Sequence, residues 1–309
     1  MNVFLFPGQG SQEIGMAADL FKTDAAFREL VQCASERAGC DLETLCRRGP
    51  ERELVRPRFL QPLLACVSLG YLRHLLAAGI QPEHTLGHSL GEISALAAAG
   101  IVNFATAVAI AAKRGELMEA AAAHTPGGMM AVLSQDGETI LHRLAQEPFG
   151  AALVLANDNA PGQKVISGNL AALDAAAKLV AAEKLGQCRR LAVAGPWHHP
   201  LMEPARLEFA NWLESVELQS PKIPLLFNVT GQTETDPPQI RQLLTRNLVE
   251  PVRWRLAMNT LRAAGNLRLF EVGPGRVLSG LARANGLDAA TRIFNINNLR
   301  GSELATRLA

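Results

Sequence analysis

The chain alternates short apolar runs with longer stretches whose apolar positions recur every three or four residues. Val3, Phe4, Leu5 and Phe6 form a continuous apolar run that stops at Pro7-Gly8. Such a run, bounded by turn residues, predicts a strand buried on both faces. Helical spacing follows over residues 16–21 and 25–38, and again over 61–78 and 105–123. Between the last two lie a short strand around Thr85-Leu86, a tight turn, and the helix-forming run 92–99, which stops at Gly100. This alternation predicts an α/β fold with a largely parallel sheet.

The pattern changes near His124-Thr125-Pro126-Gly127-Gly128. A strand is predicted over 129–133, a helix over 137–145, strands over 152–156 and 163–167, a helix over 170–185 and a strand over 188–193. The segment Asn157-Asp158-Asn159-Ala160-Pro161-Gly162 reads as the connector between the two middle strands. The order β-α-β-β-α-β is the ferredoxin-like pattern. The chain thus divides into a main part, residues 1–125 and 195–309, and an inserted ferredoxin-like subdomain, residues 126–194, with the cleft between them as the expected ligand site. After Gly195-Pro196 the α/β character resumes, with strands expected over 224–227 and 267–271, a helix over 277–284 and an edge strand over 292–297.

Composition narrows the classes of function. A chain of 309 residues, 48% of them hydrophobic, suits one large domain or a main domain with an insert, and builds its core without cofactor or staples. A net charge of +1 and 5% aromatic residues argue against a nucleic-acid binder. The first apolar run has no charged segment before it, and no run approaches the ~20 apolar residues of a membrane span, so a cytoplasmic location is expected. Cys33, Cys40, Cys46, Cys66 and Cys188 are odd in number and form no CxxC pair. Reduced thiols are expected, with no disulfide framework, no metal and no bound cofactor. Nothing in the sequence demands more than a monomer.

The strongest chemical signal is Gly87-His88-Ser89-Leu90-Gly91, which fits the G-x-S-x-G nucleophile elbow of hydrolase-like α/β sheets. The motif needs a strand before it and a helix after it, and both are predicted here. Ser89 would then sit at a helix N-terminus, where backbone N–H groups favour developing negative charge, with the Leu90 N–H as an oxyanion donor. A serine hydroxyl needs a base. His74 and His142 fall in predicted helices, His84 precedes the turn and His124 borders the insert. His88 adjoins Ser89, but neighbours on a sharp turn point apart, so a packing role is expected for it. His198 and His199 remain, where the chain re-enters the main part. On the helix predicted over 105–123, Arg114 offers a guanidinium fork for a substrate carboxylate.

Taken together these motifs resemble the malonyl-CoA:acyl-carrier-protein transacylases, including the discrete acyltransferases of polyketide synthases. The resemblance runs from Phe6-Pro7-Gly8-Gln9-Gly10-Ser11-Gln12 to Glu271-Val272-Gly273-Pro274-Gly275. Between them lie Gln61-Pro62, the elbow, Arg114-Gly115 with Met118, the stretch from Asn157 to Gly168, His198 with Pro200-Leu201-Met202, and Asn228-Val229-Thr230-Gly231. The resemblance implies that Ser89 attacks malonyl-CoA with His198 as base, that the backbone N–H groups of Gln9 and Leu90 hold the oxyanion, and that a carrier-protein phosphopantetheine thiol collects the malonyl group. It implies that Arg114 pairs with the malonyl carboxylate and that Gln61 lines the same pocket. It also implies that a backbone carbonyl at Asn247 orients the histidine. Malonyl-selective members usually carry Phe and Ser around the histidine. Here Trp197 and His199 stand there, and Trp197 is expected to reshape the acyl pocket. Arg189 and Arg190 are candidates for meeting an acidic carrier protein. The rival readings are an editing hydrolase of a polyketide synthase, the malonyltransferase subunit of a malonate decarboxylase, and a non-catalytic carrier-binding scaffold. Retention of Arg114 argues for transfer, and a scaffold needs none of Ser89, His198 and Arg114.

Overall fold

The computed structural model describes residues 1–134, 136–146, 149–287 and 291–308. Its strands are β1 (Asn2–Phe6), β2 (His84–Gly87), β3 (Gly128–Leu133), β4 (Leu153–Ala160), β5 (Gln163–Gly168), β6 (Gln187–Arg190), β7 (Leu225–Leu226), β8 (Arg268–Val272) and β9 (Arg292–Ile296). They form two sheets. The first is parallel, in the order β7-β2-β1-β8-β9, with β9 at an edge. Every residue of β1 is buried, as its unbroken apolar run predicts. Val3 and Leu5 point into one layer with Trp254, Met258 and Leu278. Phe4 and Phe6 point into the other, which contains the long helix Pro57–Ala77.

That helix departs from the sequence expectation. By length and mean hydropathy, 1.3, it is apolar enough to cross a membrane, but 83% of its apolar window is buried inside the protein. A strict count of apolar residues misses it because Gln61 and Ser68 interrupt the run, yet both are themselves buried. It is a core helix.

The second sheet is antiparallel, in the order β4-β5-β3-β6. Its side chains alternate cleanly. Met130 and Val132 face Ile140, Leu144, Leu173 and Val180 from the helices Gly137–Leu144 and Leu170–Ala182. Met129 and Ala131 face the core of the first sheet's layer. The segment expected as a connector, residues 157–160, belongs instead to β4, which carries register shifts there. Its polar side chains are tolerated in a largely buried strand because distant groups satisfy them. The backbone at Asn157 bridges Val252, Val252 N–H donates to Ala156 C=O at 2.8 Å and Asp158 N–H donates to Val252 C=O at 2.9 Å. Lys164 Nζ, on the adjoining β5, donates to Asp158 Oδ1 at 2.5 Å and to Glu138 Oε1 at 3.2 Å. Arg255 meets the same two carboxylates at 2.9 and 2.8 Å. These bonds fasten the second sheet to the helix Trp254–Ala264 of the main body. That helix, like Glu203–Leu213 and Pro237–Arg246, is additional to those expected from the sequence.

Candidate active site

The site forms at the carboxyl ends of β1 and β2, where open α/β sheets bind ligands. Phe6 lies opposite Gly87 at this edge. The chain then reverses through Ser89, whose φ of 51° is left-handed, and enters the helix Gly91–Ala98. The elbow glycines are demanded by contact. A Cβ on Gly87 would stand 1.9 Å from the Gly91 carbonyl carbon, and one on Gly91 would stand 2.0 Å from Phe6 O. Ser89 is braced from outside the motif. Its N–H donates to Asn228 Oδ1 at 2.7 Å, and Asn228 Nδ2 donates to Gly87 C=O at 2.6 Å. Asn228 N–H in turn donates to Glu92 Oε2 at 2.6 Å.

Ser89 Oγ lies 2.8 Å from His198 Nε2. His198 is also left-handed, with φ of 59°, so strain of about 1–3 kcal/mol each is concentrated in these two residues. His198 Nδ1 lies 3.1 Å from Glu250 C=O. A carbonyl only accepts, so the proton resides on Nδ1 and the lone pair of Nε2 faces the serine hydroxyl. The Asn247 carbonyl, expected from the family resemblance to orient the ring, also faces it. A hydrogen bond of 3.1 Å goes to Glu250, one turn further on, so the orienting role is shared. Burial, and then the positive charge of Arg114, holds His198 down at about 3, which keeps the ring neutral. His199 is bound otherwise, its Nδ1 accepting from Leu201 N–H at 3.0 Å at the start of the turn Pro200–Met202. His88 packs as expected, 2.8 Å from Asn159 Oδ1 and beside the Trp254 ring.

Arg114, on the helix Phe104–His124, is 2% exposed. Its Nη1 donates to Gln61 Oε1 at 2.9 Å, and its Nη2 donates to Asn247 Oδ1 at 3.0 Å and to Ser89 Oγ at 3.2 Å. Burial lowers its pKa to about 10 while the charge of Glu92 resists that shift, so it stays cationic. Gln61 is itself held by Gln9 Oε1 at 3.1 Å and the Met118 sulfur at 3.3 Å. Ser89, Glu92, Ile93, Arg114, Phe209, Leu244 and Asn247 line a cavity of about 10 Å³. That is room for one water at most. Trp197 is buried with its ring against Gly195, outside this lining.

This constellation is a nucleophile and base in bonding distance with a buried cation over the nucleophile. The sequence matches the acyl transferase domain family over residues 3–289. The chain belongs to the acyl transferase domain family. Its similarities are to malonyl transacylases. The malonyl CoA-acyl carrier protein transacylase of Haemophilus influenzae is 39% identical over 281 residues, 90% of each chain. That of Bacillus subtilis is 38% identical over 91% of this chain and 89% of its own. The crystal structure of the malonyl-CoA:acyl carrier protein transacylase of Xanthomonas oryzae matches with a TM-score of 0.91 at 36% identity, covering 99% of this chain and 98% of that one. A type II PKS acyl-carrier protein in complex with its malonyl-transacylase matches with a TM-score of 0.90 at 34% identity, covering 100% of this chain and 99% of that one.

In this acyl transferase the remaining expected residues are placed as follows. The Leu90 N–H opens the helix after Ser89, and Gln9 follows β1 beside the elbow, where a Cβ on neighbouring Gly8 would stand 2.4 Å from His88 O. Among the described residues neither of these two backbone N–H groups has a protein acceptor. Arg189 is exposed on β6, and its neighbour Arg190 pairs with Asp174 at 2.6 Å. Among the described residues no group of three or more His, Cys, Asp and Glu side chains is gathered for a metal ion. Three site residues escaped the sequence reading: Glu92, Asn228 and Glu250, whose carbonyl meets His198 Nδ1. Glu92 reads as one polar position of a helix, and Asn228 as part of a motif without a role. The only sequence signal for Glu92 is its place in the first helical turn, where a carboxylate is favoured.

Proposed function

We propose that this acyltransferase moves a malonyl group from malonyl-CoA to the phosphopantetheine thiol of an acyl carrier protein through an ester on Ser89, in fatty acid or polyketide synthesis in the cytoplasm. The observation that carries this reading is the contact of Ser89 Oγ with His198 Nε2 at 2.8 Å under a buried Arg114 at 3.2 Å. A nucleophile–base pair alone serves any ester or thioester. A sealed cation beside it selects an acyl group that carries its own carboxylate.

The steps follow from the tautomer. Ser89 Oγ attacks the thioester carbonyl carbon as its proton passes to His198 Nε2. The carbonyl oxygen becomes an oxyanion, held by the N–H groups of Leu90 and Gln9. The C–S bond breaks, and the coenzyme A thiolate takes the proton from His198. The malonyl ester remains, its carboxylate on Arg114. That pairing also removes the positive charge that disfavours protonation of His198, so the diacid substrate strengthens its own base. The carrier thiol then gives its proton to His198 and attacks the ester. Ser89 leaves and recovers the proton. Water competes for this ester, and the cramped cavity limits its access. In the same reading, residues 126–194 form the inserted subdomain against the catalytic part of 1–125 and 195–309, and exposed Arg189 meets the acidic carrier. Gln61 orients Arg114, and Trp197 limits the acyl group from behind His198.

Intact-protein mass spectrometry after exposure to malonyl-CoA tests the proposal. The expected result is a malonyl adduct on Ser89 that persists in buffer and moves to a carrier thiol. An adduct that hydrolyses faster than it transfers would instead identify an editing hydrolase. The absence of any adduct would leave a carrier-binding scaffold.

A further inference from the structure

Among the described residues Glu92 is the one carboxylate lining the Ser89 cavity, and the steps above make no use of it. It is 1% exposed. Oε2 accepts from Asn228 N–H at 2.6 Å, and Oε1 accepts from Asn247 Nδ2 at 3.3 Å. Each asparagine then carries the contact onward. Asn228 holds the Ser89 N–H and the Gly87 carbonyl. Asn247 presents Oδ1 to Arg114 Nη2 at 3.0 Å. One side chain therefore touches both the holder of the nucleophile and the holder of the cation.

The chemistry of a carboxylate makes this more than packing. An amide has a donor end and an acceptor end, whereas an ionised carboxylate only accepts. With Oε1 claiming the Nδ2 end of Asn247, the Oδ1 end is the one left to face the guanidinium. Were the amide reversed, two donors would face each other across a buried gap, and an unsatisfied buried group beside a charge is costly.

We infer that Glu92 is a positioning residue for diacid recognition: by fixing the amide of Asn247 it aims Arg114 at the malonyl carboxylate, and through Asn228 it braces the serine elbow. This rests on the reading that Arg114 holds that carboxylate. Glu92→Gln separates the two duties. A glutamine keeps a carbonyl oxygen for Asn228 N–H but offers an NH₂ group to Asn247, so it spares the elbow and releases the amide that aims Arg114.

The test is a double-mutant cycle read in two substrates, malonyl-CoA and acetyl-CoA, using self-acylation rates of the full chain. Glu92→Gln is expected to lower kcat/KM for malonyl loading roughly 10- to 100-fold, the cost of a lost hydrogen bond at a charged group. Acetyl loading should change by less than about threefold, as expected where that bond is not used. In an Arg114→Ala background, Glu92→Gln should no longer affect the malonyl-to-acetyl ratio. Equal losses with both substrates, or the same loss in both Arg114 backgrounds, would overturn the inference and leave Glu92 a structural brace. If Arg114→Ala itself keeps the wild-type malonyl preference, the underlying reading of Arg114 fails, and this inference with it. Asn247→Ala gives a second route if Glu92→Gln does not fold, because it keeps the backbone carbonyl near His198 and should reproduce the selective loss. A pH series adds a readout that packing does not move. Burial pushes the Glu92 carboxyl up to about 8, against its hydrogen bonds and Arg114, the charged group that faces it, while His198 titrates far below. Malonyl preference should therefore rise with pH through about 8 in the wild type and stay flat in Glu92→Gln. A flat wild-type profile would count against the inference.

Discussion

Lys164 and Arg114 are both sealed inside the molecule, 1% and 2% exposed, but they are held in opposite ways. Lys164 lies between the carboxylates of Asp158 and Glu138, with Arg255 closing the cluster. Arg114 is held by three neutral oxygens, those of Gln61, Asn247 and Ser89. Among the described residues no carboxylate comes within 4.0 Å of it. A buried charge costs several kcal/mol to desolvate, and a partner offsets that cost. The Lys164 cluster is electrically complete and joins the second sheet to the helix Trp254–Ala264. The Arg114 site has no direct ion pair, Glu92 reaching it only through Asn247, and in the proposed reading the substrate carboxylate supplies the direct partner.

The comparison breaks if the two sites respond alike to mutation. The largest effect is expected at the complete cluster. Asp158→Ala leaves Lys164 sealed beside a carboxylate that is 66% exposed, and should cost about 3–5 kcal/mol of stability by denaturant titration. The folded fraction should still self-acylate. Arg114→Ala comes next, and should act on catalysis instead. It removes a buried charge that has no direct ion pair and leaves Glu92 with its asparagine partners, so the denaturation midpoint should move far less than in Asp158→Ala. Malonyl loading should fall by about 2–4 kcal/mol of transition-state binding while acetyl loading persists. A melting loss as large as that of Asp158→Ala would show that Arg114 is structural. The smallest effect sharpens the contrast through pH. The acid limb of acetyl loading should lie well below 6.5, because burial and Arg114 hold His198 near 3. A base is active above its pKa, so Arg114→Ala should move that limb upward, toward 6.5, when rates are followed as pH falls. A limb at 6.5 in the wild type would refute the lowered basicity of His198.

Much of this was legible in the chain itself. The elbow could be read because its glycines and serine fall in one five-residue motif between a strand and a helix, and the parallel sheet because β1 carries an unbroken apolar run. The rest depends on partners far apart in sequence. Residues 157–160 look like a connector, but Asn159 is satisfied by His88 and Asp158 by Lys164 and Arg255, which turns a polar segment into a strand. The helix Trp254–Ala264 buries Trp254, Ala257, Met258 and Leu261, a spacing open to pattern reading. Glu92 is different. Its meaning lies in Asn228, 136 positions away, and Asn247, 155 positions away, and no local pattern encodes those distances. His198 was recoverable as a base, whereas the carbonyl of Glu250 that fixes its tautomer was not, since every residue has a carbonyl.

The cavity of about 10 Å³ at Ser89 bears on which electrophiles can label this enzyme. Reagents that brand serine hydrolases are often bulky and neutral, and depend on an open approach to the hydroxyl. Here they would meet a guanidinium lying on the oxygen and no space beside it. A short electrophile with an acidic arm would draw Arg114 off Gln61 and Asn247 and make its own room. Tolerance of general serine inhibitors and sensitivity to small anionic ones would then be two signs of the same unfilled charge.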